Sequence, residues 1–259
     1  MSGRAESIDD KLVPFIPTVS AKFDLSEQLS WSVKGGRLYR YPTLNDLYWE
    51  PGGNRDLQPE IGWSCESTMK FHTQNDRLSY EGDASVFFKD IENWIYWAPI
   101  NSGSILSANN LGEVHTGGVE VRHSLSLNHC KSRWSIIGHA TLQSSKNQKA
   151  LDQPKIERGQ QLFYVPGYIF GTHFSYARNN LKLQYSHAWT DEVIGVNEVV
   201  HGYHIGRIRF LWSCHWKDNQ STSFTFFIEN LWNEKYQVIE YHPMPGRHYK
   251  FEINHKFNL

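Results

Sequence analysis

Apolar and polar side chains alternate along most of this chain, the period that places successive residues on opposite faces of a β-strand. The C-terminus is the clearest case. Tyr249, Phe251, Ile253, Phe257 and Leu259 share one parity with His255, while His248, Lys250, Glu252, Asn254, Lys256 and Asn258 fill the other. Ile61, Trp63, Cys65, Met69 and Phe71 alternate in the same way with Glu60, Ser64, Glu66, Thr68, Lys70 and His72. The pattern predicts eleven strands, over 12–25, 28–40, 60–74, 77–97, 113–128, 132–144, 161–177, 180–190, 202–217, 221–232 and 247–259. Short turns at 26–27, 75–76, 129–131, 179 and 218–220 alternate with long connections at 41–59, 98–112, 146–160, 191–201 and 233–246. That regularity belongs to an all-β, antiparallel up-and-down transmembrane barrel, whose turns are short on one side and whose loops are long on the other. Most segments reach the roughly 9–11 residues a tilted membrane strand needs. A soluble β-sandwich or adhesin-like binding module also alternates, and stands as the alternative.

The two faces differ in kind. One carries the aromatics, and 10 Trp, 13 Tyr and 14 Phe make up 14% of the chain. The other carries Glu66, Lys70, Glu120, Arg122, Arg133, His139, Lys182, Gln184, Arg207, Arg209, His215, Glu252 and Lys256. So many ionisable groups do not fit a dry core, whereas a wet lumen solvates them. Trp94, Tyr96, Trp97, Trp134, Trp189, Trp212, Trp216 and Trp232 fall near strand ends, where barrel proteins place interfacial girdles. Mean hydropathy is −0.55, and no apolar run approaches the about 18 residues of a membrane helix. With 26 basic against 27 acidic residues the formal charge is −1, so no excess of positive charge suggests a nucleic-acid partner. Cys65, Cys130 and Cys214 are odd in number and outside any metal-binding spacing. No catalytic constellation, metal site or cofactor motif emerges. His201 and His204 lie three apart, which in extended chain puts them on opposite faces.

Several segments carry a resemblance. The stretch from Tyr39 and Arg40 through Pro42-Thr43-Leu44-Asn45-Asp46-Leu47-Tyr48 and Gly53-Asn54-Arg55-Asp56-Leu57-Gln58-Pro59-Glu60 resembles a characteristic loop of TonB-dependent outer-membrane receptors, with Arg55 in place of a usual proline. Gly118-Val119-Glu120-Val121, Tyr164-Val165-Pro166-Gly167, and Glu229-Asn230-Leu231-Trp232-Asn233-Glu234-Lys235-Tyr236-Gln237 followed by Pro243-Met244-Pro245-Gly246-Arg247 resemble later segments of that family in the same order. The wording of the 44–49 segment leans toward the cobalamin or siderophore branch.

The resemblance implies an integral protein of the Gram-negative outer membrane, not an enzyme, that takes up a bulky chelate such as a ferric siderophore, vitamin B12 or haem. Its partners would be outer-membrane lipid, the metal-chelate ligand and, through a plug domain, the TonB complex. Complete members close about 22 strands around that plug. The chain therefore reads as an incomplete C-terminal half of the barrel over 1–259, without plug domain, TonB-box segment or signal peptide, and residues 1–11 as disordered or a truncated strand remnant. Alone it is not expected to transport. For ligand capture the expected residues are loop aromatics and charges: Tyr48, Trp49, Arg55, Tyr236, Tyr241 and His242, with Glu240 and His248 beside the last of these. The family's terminal Phe is replaced by Phe257-Asn258-Leu259, which keeps an apolar end on the outward parity.

Overall fold

The computed structural model describes residues 1–8, 11–99, 106–152, 155–216 and 220–257. Twelve strands form one sheet, in sequence order: Ser2–Arg4, Ile16–Asp24, Leu29–Arg40, Glu60–Gln74, Leu78–Glu92, Glu113–His129, Ser132–Asn147, Tyr168–Arg178, Leu181–Thr190, Tyr203–His215, Ser221–Glu229 and His248–Lys256. Every pairing with a described register is antiparallel. This is the expected up-and-down order. It holds one strand more than the eleven expected, because Ser2–Arg4 pairs with Ile16–Thr18. Four two-stranded ribbons lie between strands of the sheet: 7–8 with 11–12, 95–99 with 106–110, 151–152 with 155–156, and 193–194 with 199–200.

The short turns are closed by local chemistry. Ser26 Oγ accepts from the Gln28 and Leu29 amides, Asn75 Oδ1 accepts from Arg77 and Leu78, and Asn179 adopts a left-handed φ of 51° that asparagine tolerates. Of the turn expected at 218–220, Asp218 and Asn219 lie outside the described residues, as do Asn258 and Leu259 at the C-terminus.

The chain divides into two compact units. The first comprises 1–69, 85–119 and 143–165. Its buried apolar clusters are made mainly by connections, with Val114 of strand Glu113–His129 contributed by the sheet. Leu47, Leu57, Ile95 and Ala108 form one buried cluster with Tyr41 and Trp97 against it; Leu111, Val114, Ile156 and Leu162 form another with Trp94, Tyr96, Phe163 and Val165. Three of the expected girdle residues, Trp94, Tyr96 and Trp97, are thus packing residues. Strand pairing stops at Glu92, so the aromatics beyond it turn into the loop core instead of continuing a 77–97 strand.

The second unit comprises 70–84, 120–142 and 166–259 and shows what the sheet does with its two faces. Register aligns Trp134, Tyr176, Leu183, Phe210, Phe226 and Phe251 in a single row across six strands. Each of these apart from Tyr176 is a large apolar side chain more than a third exposed. One residue along, Ser135, Ser175, Gln184, Arg209, Phe227 and Lys250 make the neighbouring row on the opposite face. Arg209 donates to Gln184 at 3.3 Å and, like Lys250, lies over the Phe227 ring. Aromatic contacts run within this row and between it and its neighbours on the same face: Trp134 meets Tyr176 at 4.2 Å between ring centroids, Trp212 meets Phe224 at 5.6 Å, and Phe226 meets Tyr249 at 6.2 Å. Such cross-strand pairs contribute about 0.2–1 kcal/mol each. A β-sandwich would bury this row under a second sheet. Among the described residues the remaining sheets are two-stranded ribbons, which removes the sandwich alternative.

Candidate functional site

The long connection 41–59 is built around one carboxylate. Thr43 caps the short helix Leu44–Tyr48, accepting from the Asp46 amide while Asp46 reaches back to the Thr43 amide at 2.9 Å and hydroxyl at 2.8 Å, a reciprocal capping box. Asp46 is buried and its other oxygen accepts from the Trp97 indole N–H at 2.9 Å. Arg40, 3.6 Å from Asp46, forms a two-point ion pair with buried Glu60, whose Oε1 also accepts from the Ile95 amide at 2.8 Å. Burial pushes the Asp46 carboxyl up, but the hydrogen bonds from Trp97 and Thr43 and the Arg40 charge outweigh it and hold the group below its usual 3.8. Asn54 ties the far arm of the loop, its amide donating to Asp46 O and its side chain to Ala108 O. Gly53 is required by close approach, since a Cβ there would sit 2.6 Å from the Trp49 amide nitrogen.

On this scaffold Tyr48 and Trp49 are exposed, and the Arg55 guanidinium lies 5.1 Å from the Tyr48 ring centroid. Tyr48 and Arg55 line a recess of about 780 Å³ with Tyr39, Tyr41, Asp56 and Gln58. Trp49 lines a neighbouring cavity of about 610 Å³ with Asp46, Trp97 and Leu106. Three of the expected ligand residues therefore come together in the first unit.

The other three lie in the second unit. Tyr236 packs at a tilt of 40° against Tyr203, 4.6 Å between ring centroids, and burial, then the neighbouring Tyr203, push its phenol up from 10.0. Tyr241 is exposed, with a left-handed φ of 60°, and exposed His242 turns Nδ1 back onto Glu240 O at 2.7 Å. His248, exposed at the start of the last strand, likewise approaches Gly246 O. Glu240 is not a ligand-facing group. It is buried, and its carboxylate accepts from the Asn197 and Glu198 amides at 2.8 Å each and from the Asn197 side chain at 3.1 Å, clamping the 191–202 connection to the last loop.

The residues that organise both loops, Asp46, Glu60, Trp97 and Glu240, were absent from the expected set of six. Thr43-x-x-Asp46 is a capping pattern readable in sequence. Nothing local marks the clamping role of Glu240, whose partners lie some 43 residues away.

Residues 2–231 match the family described as TonB dependent receptor-like, beta-barrel. The vitamin B12 transporter BtuB of Vibrio vulnificus is 29% identical over 96 residues, covering 37% of this chain and 15% of that protein. The vitamin B12 transporter BtuB of Photobacterium profundum is 25% identical over 178 residues, covering 64% of this chain and 28% of that protein. Among solved structures, the copper transporter OprC superposes with a TM-score of 0.71 at 15% identity, over 94% of this chain and 40% of that one. The ferric-catecholate import receptor Fiu of E. coli K12 gives 0.66 at 19%, over 92% and 34%. The chain thus spans well under half the length of these relatives, and the two structures show a shared fold. With the sheet order, the two-faced register and the family match in agreement, the chain belongs to the TonB-dependent receptor β-barrel family.

Proposed function

We propose that this chain forms part of the barrel wall of an integral outer-membrane receptor that admits a bulky metal chelate, cobalamin or a ferric siderophore, without chemical transformation of it. The observation that supports this best is the six-strand apolar row, exposed on one face of the sheet and backed by an ionisable face. Monomeric soluble proteins rarely leave apolar patches larger than a few hundred Å² in water, so lipid is the partner this face fits. Uptake by such a receptor uses a complete barrel and a plug through which the TonB complex acts, and this chain supplies a part of that wall.

The exposed Tyr48–Arg55 pair beside the recess supplies a ring face and a cation, groups that suit a large anionic or conjugated chelate. The relatives named as vitamin B12 transporters favour a corrinoid; the catecholate receptor, sharing only the fold, makes the ferric siderophore the competitor. Quenching of tryptophan fluorescence in detergent micelles, titrated with cyanocobalamin and with ferric enterobactin, tests the reading. One chelate should saturate the signal, and Arg55→Ala should weaken it about tenfold while leaving the fold intact. Titrations linear in chelate for both compounds, or unaltered by Arg55→Ala and Trp49→Ala, would remove these loops from ligand capture.

A further inference from the structure

Asp90 lies near the end of strand Leu78–Glu92, and Glu113 and His115 open the adjacent strand Glu113–His129. Asp90 shares the parity of Val86 and Phe88, and Glu113 and His115 that of Val119 and Val121, all exposed apolar positions. The three polar groups thus stand on the outward face, at the base of the 93–112 connection. One donor atom from each lies within 4.8 Å of the others. His115 Nε2 is 3.0 Å from Glu113 Oε1 and 3.4 Å from Asp90 Oδ1. A single ring nitrogen can give a proton to only one of these two oxygens. The Asp90 side chain is otherwise accessible, yet its Oδ1 is shielded from solvent and accepts no hydrogen bond from the described residues. Lys149 Nζ lies 3.8 Å from the second Glu113 oxygen, Oε2.

We propose that Asp90, Glu113 and His115 hold a divalent cation of the zinc class. A cation among the three satisfies both carboxylate oxygens and the ring nitrogen together, which no placement of one proton does. One nitrogen with two oxygens favours a borderline first-row ion, held at about 2.0–2.2 Å, over calcium or magnesium, which prefer oxygen alone. Three protein donors leave a coordination position open to water or an anionic group. The Phe88 ring, edge-on to His115 at 5.5 Å between centroids, limits the imidazole's rotation. Because the donors come from the two strands that carry the 93–112 connection, the ion ties that connection shut at its base. This site is independent of chelate capture by the other loops.

The full chain in detergent is titrated with Zn²⁺ against a chromophoric chelator, and with Co²⁺ followed by visible absorption. One tight site per chain is expected, weakened at least thirtyfold in His115→Ala and about tenfold in Glu113→Gln, with the Co²⁺ bands lost in His115→Ala. Saturating Zn²⁺ should also slow protease cleavage between residues 93 and 112. Secondary structure by circular dichroism checks each variant; should His115→Ala not fold, Asp90→Asn and Glu113→Gln, which keep shape, decide. Equal affinity and stoichiometry in wild type and folded variants, or cleavage indifferent to Zn²⁺, overturns the proposal.

Discussion

Asp46 and Glu240 act alike in different loops: each is a buried carboxylate accepting backbone amides that would otherwise be desolvated without partners. Hydrogen bonds to a charged acceptor contribute about 1.5–3 kcal/mol each, so neutralising either group should loosen its loop by at least that much. Asp46→Asn should expose 41–59 to proteolysis while leaving strand content unchanged. Glu240→Gln should accelerate hydrogen exchange at the Asn197 and Glu198 amides, and Glu240→Ala more so. Asp46 also sets a pH dependence. Its pKa is lower folded than unfolded, so its contribution is full above about 3.8 and fades as pH falls through the depressed folded value. Pepsin should therefore cut the 41–59 loop slowly at about pH 4 and faster toward about pH 2, and Asp46→Asn should flatten that dependence.

At the scale of the strand, adjacent isoleucines make the sharpest comparison. Ile136 and Ile137 are each 40% exposed, but Ile136 shares its parity with Trp134 and Leu142, and Ile137 with Arg133 and His139. A lysine on the lipid face near the bilayer midplane costs about 2–4 kcal/mol, whereas lumen positions tolerate charge. Ile136→Lys should therefore lower folding stability in a lipid bilayer by about that amount and Ile137→Lys by less than about 1 kcal/mol, measured by urea unfolding in vesicles. The period-two alternation that makes this prediction was legible from sequence alone, and eleven strands of the sheet follow it. It failed where partners changed the meaning of a residue. Trp94 and Tyr96 continue the alternation and Trp97 breaks it, yet all three leave the ladder; Trp97 finds the Asp46 carboxylate and Tyr96 the Phe163 ring. The Ser2–Arg4 strand is too short to carry a period. Tyr48 and Arg55 were recognisable as loop chemistry, while Glu240 needed the meeting of two distant loops to show its part.

For the whole molecule the governing fact is that the aromatic content serves neither of two ordinary purposes. Among the described residues it does not fill a core between sheets, since the buried apolar clusters are built mainly from the connections, and it does not scatter at random over a wet surface, since register gathers it into rows. A mean hydropathy of −0.55 averages two opposed surfaces. The chain is accordingly expected to require detergent or lipid to stay monodisperse. The most direct measurement is a spin-label walk over 133–142 in a cysteine-free background reconstituted in lipid vesicles, comparing collision with oxygen and with a water-soluble nickel chelate. Alternation in phase with the sequence is expected: oxygen-accessible at 134, 136, 138, 140 and 142, nickel-accessible at 133, 135, 137, 139 and 141. Nickel accessibility without alternation, in a protein that remains in solution without lipid, would contradict it.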